Sequence, residues 1–284
     1  MNRAIIFAHY DKQNIIDNYV YFYLKALQQS SSYLVFISTS KLSEKDIINL
    51  SQYCTKIIVR ENIGYDFMSY KVGLDSLDYK SYDEVVICND SVYGPVYNLK
   101  NIFDDMQNKK CDFWGITDNK DIQYHLQSYF IVFRKNILQS QIFQNFWDNL
   151  KVLDNKNDII KKYEVGLTQT LINIGFTTSV YSNFRPTNIQ KIGIFFKKLT
   201  LYQILKKINN LLTQKNSIKR IGKLNFTHYF YKELLVFDKV PFIEIELLRD
   251  NPMNVNLDEI ENVINKLTDY DINLIKNHLS RIQN

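Results

Sequence analysis

The 284-residue chain has no apolar run of the roughly 18–20 residues that a membrane-spanning helix needs. Its first apolar stretch, Ala4–Ala8, follows almost directly on Met1, without the cleavage region of a signal peptide, so the expected location is cytoplasmic. Cysteine is scarce. Cys54, Cys88 and Cys111 are odd in number, far apart and without a CxxC pair, which argues against disulfides or a zinc site and for buried free thiols. Internal repeats and low-complexity linkers are absent. A composition of 45% hydrophobic and 23% charged residues excludes a disordered chain. No nucleic-acid-binding motif accompanies the basic residues, so nucleic acid is not the expected partner.

The most uneven absence is of acid. Between Glu164 and Glu233 lie 68 residues without Asp or Glu, and they carry eleven Lys or Arg, from Arg185 to Lys232. The remaining residues hold 24 basic and 30 acidic side chains, a net of −6, although the whole chain is at +5. Such asymmetry implies an anionic partner for one segment. Lysines 197–198 and 206–207, among apolar residues of the segment 191–223, suit docking on an anionic membrane surface. There each lysine contributes on the order of 1 kcal/mol. The alternative is an ordinary solvated helix face.

What is present is an alternation of strand and helix patterns. Ala4–Ala8, Tyr33–Ile37, Lys56–Val59 and Glu84–Cys88 read as short buried strands, with Asp112–Ile116, Tyr129–Phe133 and Thr177–Tyr181 after them. Helical periodicity marks Ile15–Leu27, Met68–Leu77, Phe143–Leu150, Thr168–Ile174 and Asp258–Ile282, and Ser43 with Asp46 predicts a capped helix running to Tyr53. This order predicts an α/β fold with a mostly parallel, open, Rossmann-type sheet flanked by helices. Beyond Pro186 the character becomes helical and basic, with apolar stripes at Ile192–Leu199 and Leu201–Leu212. The expected organisation is therefore an open α/β domain over 1–185 and a helical region over 186–284 that completes its cleft.

In an open α/β sheet, ligands bind at the carboxyl ends of the strands. Two such ends carry polar clusters: Arg60–Gly73 (RENIGYDFMSYKVG) and Asn89-Asp90-Ser91. In the first, Gly64 lets backbone approach a ligand, Asp66 can accept from a ribose or sugar hydroxyl, and Lys71 can meet a phosphate. Arg60 and Asn62 complete the set. The bland readings are a tight loop before a helix and an Asx-turn at Asn89. His9, after the first strand, falls near the nucleotide. Trp114 offers a flat face to a pyranose ring, and His125 with Gln127 falls on the acceptor side.

Five ordered stretches, Glu61–Lys71 (ENIGYDFMSYK), Asn89–Pro95 (NDSVYGP), Asp112–Asn119 (DFWGITDN), His125–Phe133 (HLQSYFIVF) and Pro241–Pro252 (PFIEIELLRDNP), make the chain resemble the rhamnan synthesis protein F family of bacterial polysaccharide glycosyltransferases. The resemblance implies a GT-A-like transferase acting on a nucleotide-diphosphosugar donor, with L-rhamnose from a deoxythymidine-diphosphate donor as the best match. The acceptor would be a growing O-antigen, capsule or rhamnan chain, or an oligosaccharide on a polyprenyl diphosphate. It also implies that Asp90 holds the diphosphate, directly or through Mg²⁺ or Mn²⁺, with His228 as a further metal ligand. One acid stands in Asn89-Asp90-Ser91 where such enzymes usually have two. Tyr163–Phe176 lays onto the acidic helix start of inverting GT-A transferases, which makes Glu164 the general base and leaves Asp118 as second candidate. Against this stands a helix-N-terminal Glu favoured by the dipole. Rival readings are a non-catalytic sugar-binding pseudoenzyme and, more remotely, a nucleic-acid-binding protein using the basic segment.

Overall fold

Apolar runs too short for core helices become strands buried on both faces, and the helices between them supply the crossovers that parallel pairing requires. The computed structural model describes residues 1–120, 122–182, 184–185, 187, 226–251 and 255–283. Its first half runs β1 (Arg3–His9), α1 (Asn18–Gln28), β2 (Tyr33–Ser38), α2 (Glu44–Leu50), β3 (Lys56–Val59), α3 (Tyr65–Asp75) and β4 (Glu84–Asn89). Then follow β5 (Val92–Tyr93), α4 (Leu99–Gln107), β6 (Phe113–Gly115), β7 (Asp118–Asn119), β8 (His125–Leu126) and β9 (Phe130–Arg134). Next come α5 (Lys135–Leu138), α6 (Gln141–Asp148), α7 (Lys156–Ile159), a π-helical segment (Ile160–Val165), α8 (Gly166–Asn173) and β10 (Thr178–Val180). The remaining described elements are α9 (Phe226–Tyr229), α10 (Tyr231–Val236), β11 (Ile243–Glu244), α11 (Ile245–Arg249), α12 (Leu257–Leu267) and α13 (Asn273–Gln283).

The expected open α/β architecture is present: seven strands form one sheet in the order β10-β6-β9-β4-β1-β2-β3. All pairs are parallel except those of β9, which runs antiparallel to both β4 and β6. Alternate residues of β1 enter opposite cores, Ile5 and Phe7 on one side and Ala4, Ile6 and Ala8 on the other. The Ile5 side is covered by α1 and α4 and also by residues 230–279 of the late helices, so the C-terminal elements share a core with the sheet. The Ile6 side is covered by α3, α5, α6 and α8. Ser43 and Asp46 form the predicted capping box.

Two helix readings are corrected. Helix α3 begins at Tyr65, three residues before the predicted Met68, because Gly64 turns the chain into it. The region read as one helix over Asp258–Ile282 is two helices, since Thr268 is extended (φ −146°) and the Asp271 side chain accepts from the Asn273 amide to restart the chain. The stripes over 192–212, and the basic segment 191–223 read as a membrane-docking element, lie outside the described residues. No described helix is long and apolar enough to cross a membrane.

Candidate active site

Strand order reverses between β1 and β4, with β2 and β3 on one side and β9, β6 and β10 on the other. Ligands of open α/β sheets bind beyond the carboxyl ends at such a switch point, and His9 and Asn89 stand there; Ala8 is registered with Asn89. Asp90 is fixed there at several atoms. The Tyr10 amide donates to its Oδ2 (3.0 Å), the Tyr19 hydroxyl to its carbonyl (3.0 Å), and its own amide to the Ala8 carbonyl (3.2 Å). Burial pushes the Asp90 carboxyl well above the usual range, and the neighbouring Asp66 adds to the shift. His9 lies 3.8 Å from Asp90 through Nε2 and shares a hydrogen bond with the Ser38 hydroxyl through Nδ1 (3.0 Å). Burial pushes the imidazole down to about 4, so at neutral pH it is uncharged and the Asp90 contact is not an ion pair.

The loop from β3 brings Asp66 to this edge. Asn89 donates from Nδ2 to Asp66 Oδ2 (2.9 Å), while Asn89 Oδ1 accepts from the Ser91 hydroxyl (2.6 Å) and amide (3.1 Å). Burial raises the Asp66 carboxyl, against the Asn89 hydrogen bond. Gly64 takes the left-handed φ of +71° and Tyr65 follows at +54°, a strained value for a side-chain-bearing residue. Arg60 holds that strain: its guanidinium donates to the carbonyls of Glu61 (2.8 Å), Ile63 (2.7 Å) and Tyr65 (2.7 Å) and to the Ser69 hydroxyl (3.0 Å). Most of the Arg60 donors are thus used in shaping the loop. Asn62 is exposed on that loop. Lys71 pairs with Asp75 one turn on (3.0 Å). Arg60→Lys keeps the charge but loses the fork. The expected loss is about 1–3 kcal/mol of stability, read by urea denaturation, and unchanged stability would rule out the bracing role.

The opposite wall comes from β8, β9 and the segment before α8. Glu164 does not begin a helix, which corrects the dipole reading: it lies inside the continuous helical run formed by α7, the π-helical turns and α8. Single π-helical turns widen a helix and often mark functional sites. Glu164 Oε1 accepts from the Ser128 amide (2.8 Å) and hydroxyl (3.1 Å). Burial pushes its carboxyl up against those hydrogen bonds, and the Glu244 carboxylate raises it further. Tyr70, from α3, donates to the Ser128 carbonyl (3.0 Å) and so ties the two walls together.

Other predicted residues have different tasks. Asp118 pairs with Arg185 (3.0 Å), so it is not a free base. His125 is buried, with Nδ1 bonded to the Gln123 carbonyl (2.8 Å). Trp114 is fully buried against Phe103 and Phe130, and its reading as a sugar platform is corrected. Gln127 accepts from the Thr117 hydroxyl (2.6 Å) and donates to Glu244 Oε1 (3.2 Å). His228 Nε2 bonds Glu244 Oε2 (3.0 Å). Burial alone would lower His228, but Glu244 outweighs it; burial would raise Glu244, but bonds from His228, Thr227 and Gln127 hold it below the usual range.

Glu244 was missed although it lies in the quoted motif Pro241–Pro252. β11 pairs antiparallel with β5, setting Glu244 opposite Val92, two residues from Asp90. Gly94 permits the approach: at φ +134°, a Cβ there would lie 2.4 Å from the Pro241 carbonyl oxygen. The signal was the co-occurrence of NDSVYGP and PFIEIELLRDNP, which turn out to be two sides of one ladder.

Among the described residues, the three-residue cluster with metal-ligand spacing is Asp11, Asp17 and His278, which begins two residues after His9. Its carboxylates are bridged by the Arg281 guanidinium.

The sequence model of the family described as rhamnan synthesis protein F matches residues 34–215. Virulence protein VirA of Vibrio anguillarum is 30% identical over 261 residues, 88% of this chain and 80% of that protein. The uncharacterized protein y4gN of Sinorhizobium fredii is 32% identical over 164 residues, 56% of this chain, and the match spans 42% of y4gN's length. Among solved structures, S. aureus TarS 1-349 superposes with a TM-score of 0.41 at 12% identity, covering 91% of this chain and 77% of that one.

Proposed function

Since the chain belongs to the rhamnan synthesis protein F family, we propose that it is a hexosyltransferase that moves a sugar from a nucleotide-diphosphate donor to a growing cell-surface polysaccharide. L-rhamnose from deoxythymidine-diphosphate-rhamnose is the donor proposed, and the acceptor an oligosaccharide or a polyprenyl-diphosphate-linked chain. The observation that carries the reading is the meeting of two carboxylate walls at the switch point: Asp66 and Asp90 on one side, Glu164 on the other, joined through Tyr70 and Ser128.

In this reading Asp66 and Asp90 bind the donor. Burial raises the cost of ionising both, and Asp66 adds to it at Asp90, which suits an incoming cation or hydroxyl donors. Mg²⁺ commonly binds through one or two carboxylates together with substrate phosphates, so this pair fits Mg²⁺ or Mn²⁺ without His228. Such an ion would neutralise charge on the departing diphosphate. Glu164 acts as general base. Its Oε1 is oriented by Ser128, and its raised pKa makes it a better acceptor for the proton of an attacking acceptor hydroxyl. Attack opposite the leaving nucleoside diphosphate inverts the anomeric centre. The basic segment 191–223 is proposed to hold the protein at an anionic membrane surface near a lipid-linked acceptor.

The test is calorimetry with a panel of nucleotide sugars, with and without Mg²⁺ or Mn²⁺. Asp90→Asn is expected to weaken binding of the selected donor about 10–100-fold, the effect of losing one charge-assisted interaction. Equal affinity in wild type and variant would remove Asp90 from the donor site.

A further inference from the structure

Helix α13 reaches the same edge from the far end of the sequence. Arg281 donates through Nε to Asp17 Oδ1 (3.1 Å) and through Nη2 to Asp17 Oδ2 (2.5 Å), and the same Nη2 donates to Asp11 Oδ2 (2.6 Å). Its Nη1 donates to Gln13 Oε1 (2.5 Å). One guanidinium thus closes the β1–α1 loop onto α13, in the planar fork geometry that lysine cannot reproduce.

The loop is itself organised around Asp11. Oδ1 of Asp11 accepts from the amides of Gln13 (2.8 Å) and Ile15 (3.0 Å), and its own amide donates to the Ser40 hydroxyl (2.8 Å) beyond β2. Burial would raise the Asp11 carboxyl, yet Arg281 and those amides hold it below the usual range. The preceding residue is Tyr10, whose amide binds Asp90 Oδ2. A second path starts one helical turn earlier on α13. His278 Nδ1 bonds the Tyr93 hydroxyl (2.6 Å), and its ring lies 4.7 Å from that of Tyr19, whose hydroxyl binds the Asp90 carbonyl. Residues 278 and 281 share one helix face. Both lead within two contacts to Asp90.

We infer that Arg281 is a positioning residue of the donor site: by clamping Asp11 and Asp17 it fixes the β1–α1 loop, so that the Tyr10 amide and Tyr19 hydroxyl hold Asp90 ready for a nucleoside diphosphate. The inference rests on the donor-site reading of Asp90. It adds the last described helix to a site otherwise built from the strand ends.

Arg281→Lys and Arg281→Gln would be compared with wild type in two measurements. The first is amide hydrogen exchange. Residues 10–15 are expected to exchange at least about tenfold faster in both variants, while the β1 and β4 amides stay protected, the mark of local opening without global loss. The second is calorimetric titration with UDP, GDP, CDP and deoxythymidine diphosphate in Mg²⁺. The nucleotide bound by wild type is expected to bind at least about tenfold more weakly to the variants, with kcat changed far less than donor KM in a transfer assay. Unchanged exchange at 10–15, or faster exchange with unchanged nucleotide affinity, overturns the positioning role. Uniform loss of protection across the sheet assigns Arg281 to global stability and overturns it as well. Wild type that binds none of the four nucleotides refutes the donor-site reading itself, a result distinct from the others because it does not involve the variants.

Discussion

Glu164→Gln is expected to lower kcat by about 10²–10⁴-fold, the usual contribution of a general base, while donor affinity changes little. Gln keeps an oxygen to accept from Ser128, so the wall is preserved and only the proton-accepting carboxylate is lost. The pH behaviour gives an independent check. Burial raises the Glu164 pKa, so the basic form is populated only above the ordinary carboxylate range, and the acidic limb of kcat/KM should be displaced upward and vanish in the variant. Stability has its own sign. A carboxyl whose folded pKa is raised favours folding below its unfolded pKa and loses that contribution as pH rises through the folded value. At neutral pH the variant should therefore be at least as stable as wild type. Denaturation at pH 5 and pH 8, beside steady-state kinetics, checks both; a destabilised variant that also loses donor binding would make Glu164 a structural residue.

Trp114→Ala is expected to cost about 3–5 kcal/mol of folding stability, as large-to-small core substitutions of aromatic residues do. Trp114 is fully buried, 5.7 Å from Phe103 in an edge-to-face arrangement and 6.0 Å from Phe130. Its Nε1 has no hydrogen-bond partner among the described residues, so Trp114→Phe should retain acceptor KM with a smaller stability cost. Chemical denaturation of both variants separates the two roles. A raised acceptor KM in Trp114→Phe, with stability intact, would restore the sugar platform.

The strands were legible because β1, β2 and β4 are buried on both faces, and unbroken apolar runs such as AIIFA and EVVIC have few other uses at that length. Strand direction was not legible. Tyr129–Phe133 reads the same whether it pairs parallel or antiparallel, and only its neighbours, β4 and β6, decide. Asp66, Asp90 and Glu164 stood out as acids at the ends of patterned segments. For Arg60 and Lys71 the sequence shows a charge but not what already faces it: three carbonyls and a hydroxyl in one case, Asp75 in the other. Trp114 misled for a related reason. In a short strand such as Phe113–Gly115, one residue's displacement separates core from cleft. Glu244 stayed hidden because a two-residue strand has no periodicity and its partner lies some 150 positions earlier.

The pairing of β5 with β11 has a temporal consequence. A nascent chain can assemble β1 to β4 while its later half is still being synthesised, but the carboxylate that Glu244 supplies arrives only when the ribosome has delivered residues 241–245. Until then Ser91 lacks the amide of Ile245 and Gln127 lacks its acidic partner. The strand end that carries Asp90 is thus among the last parts of the molecule to gain its full set of hydrogen bonds.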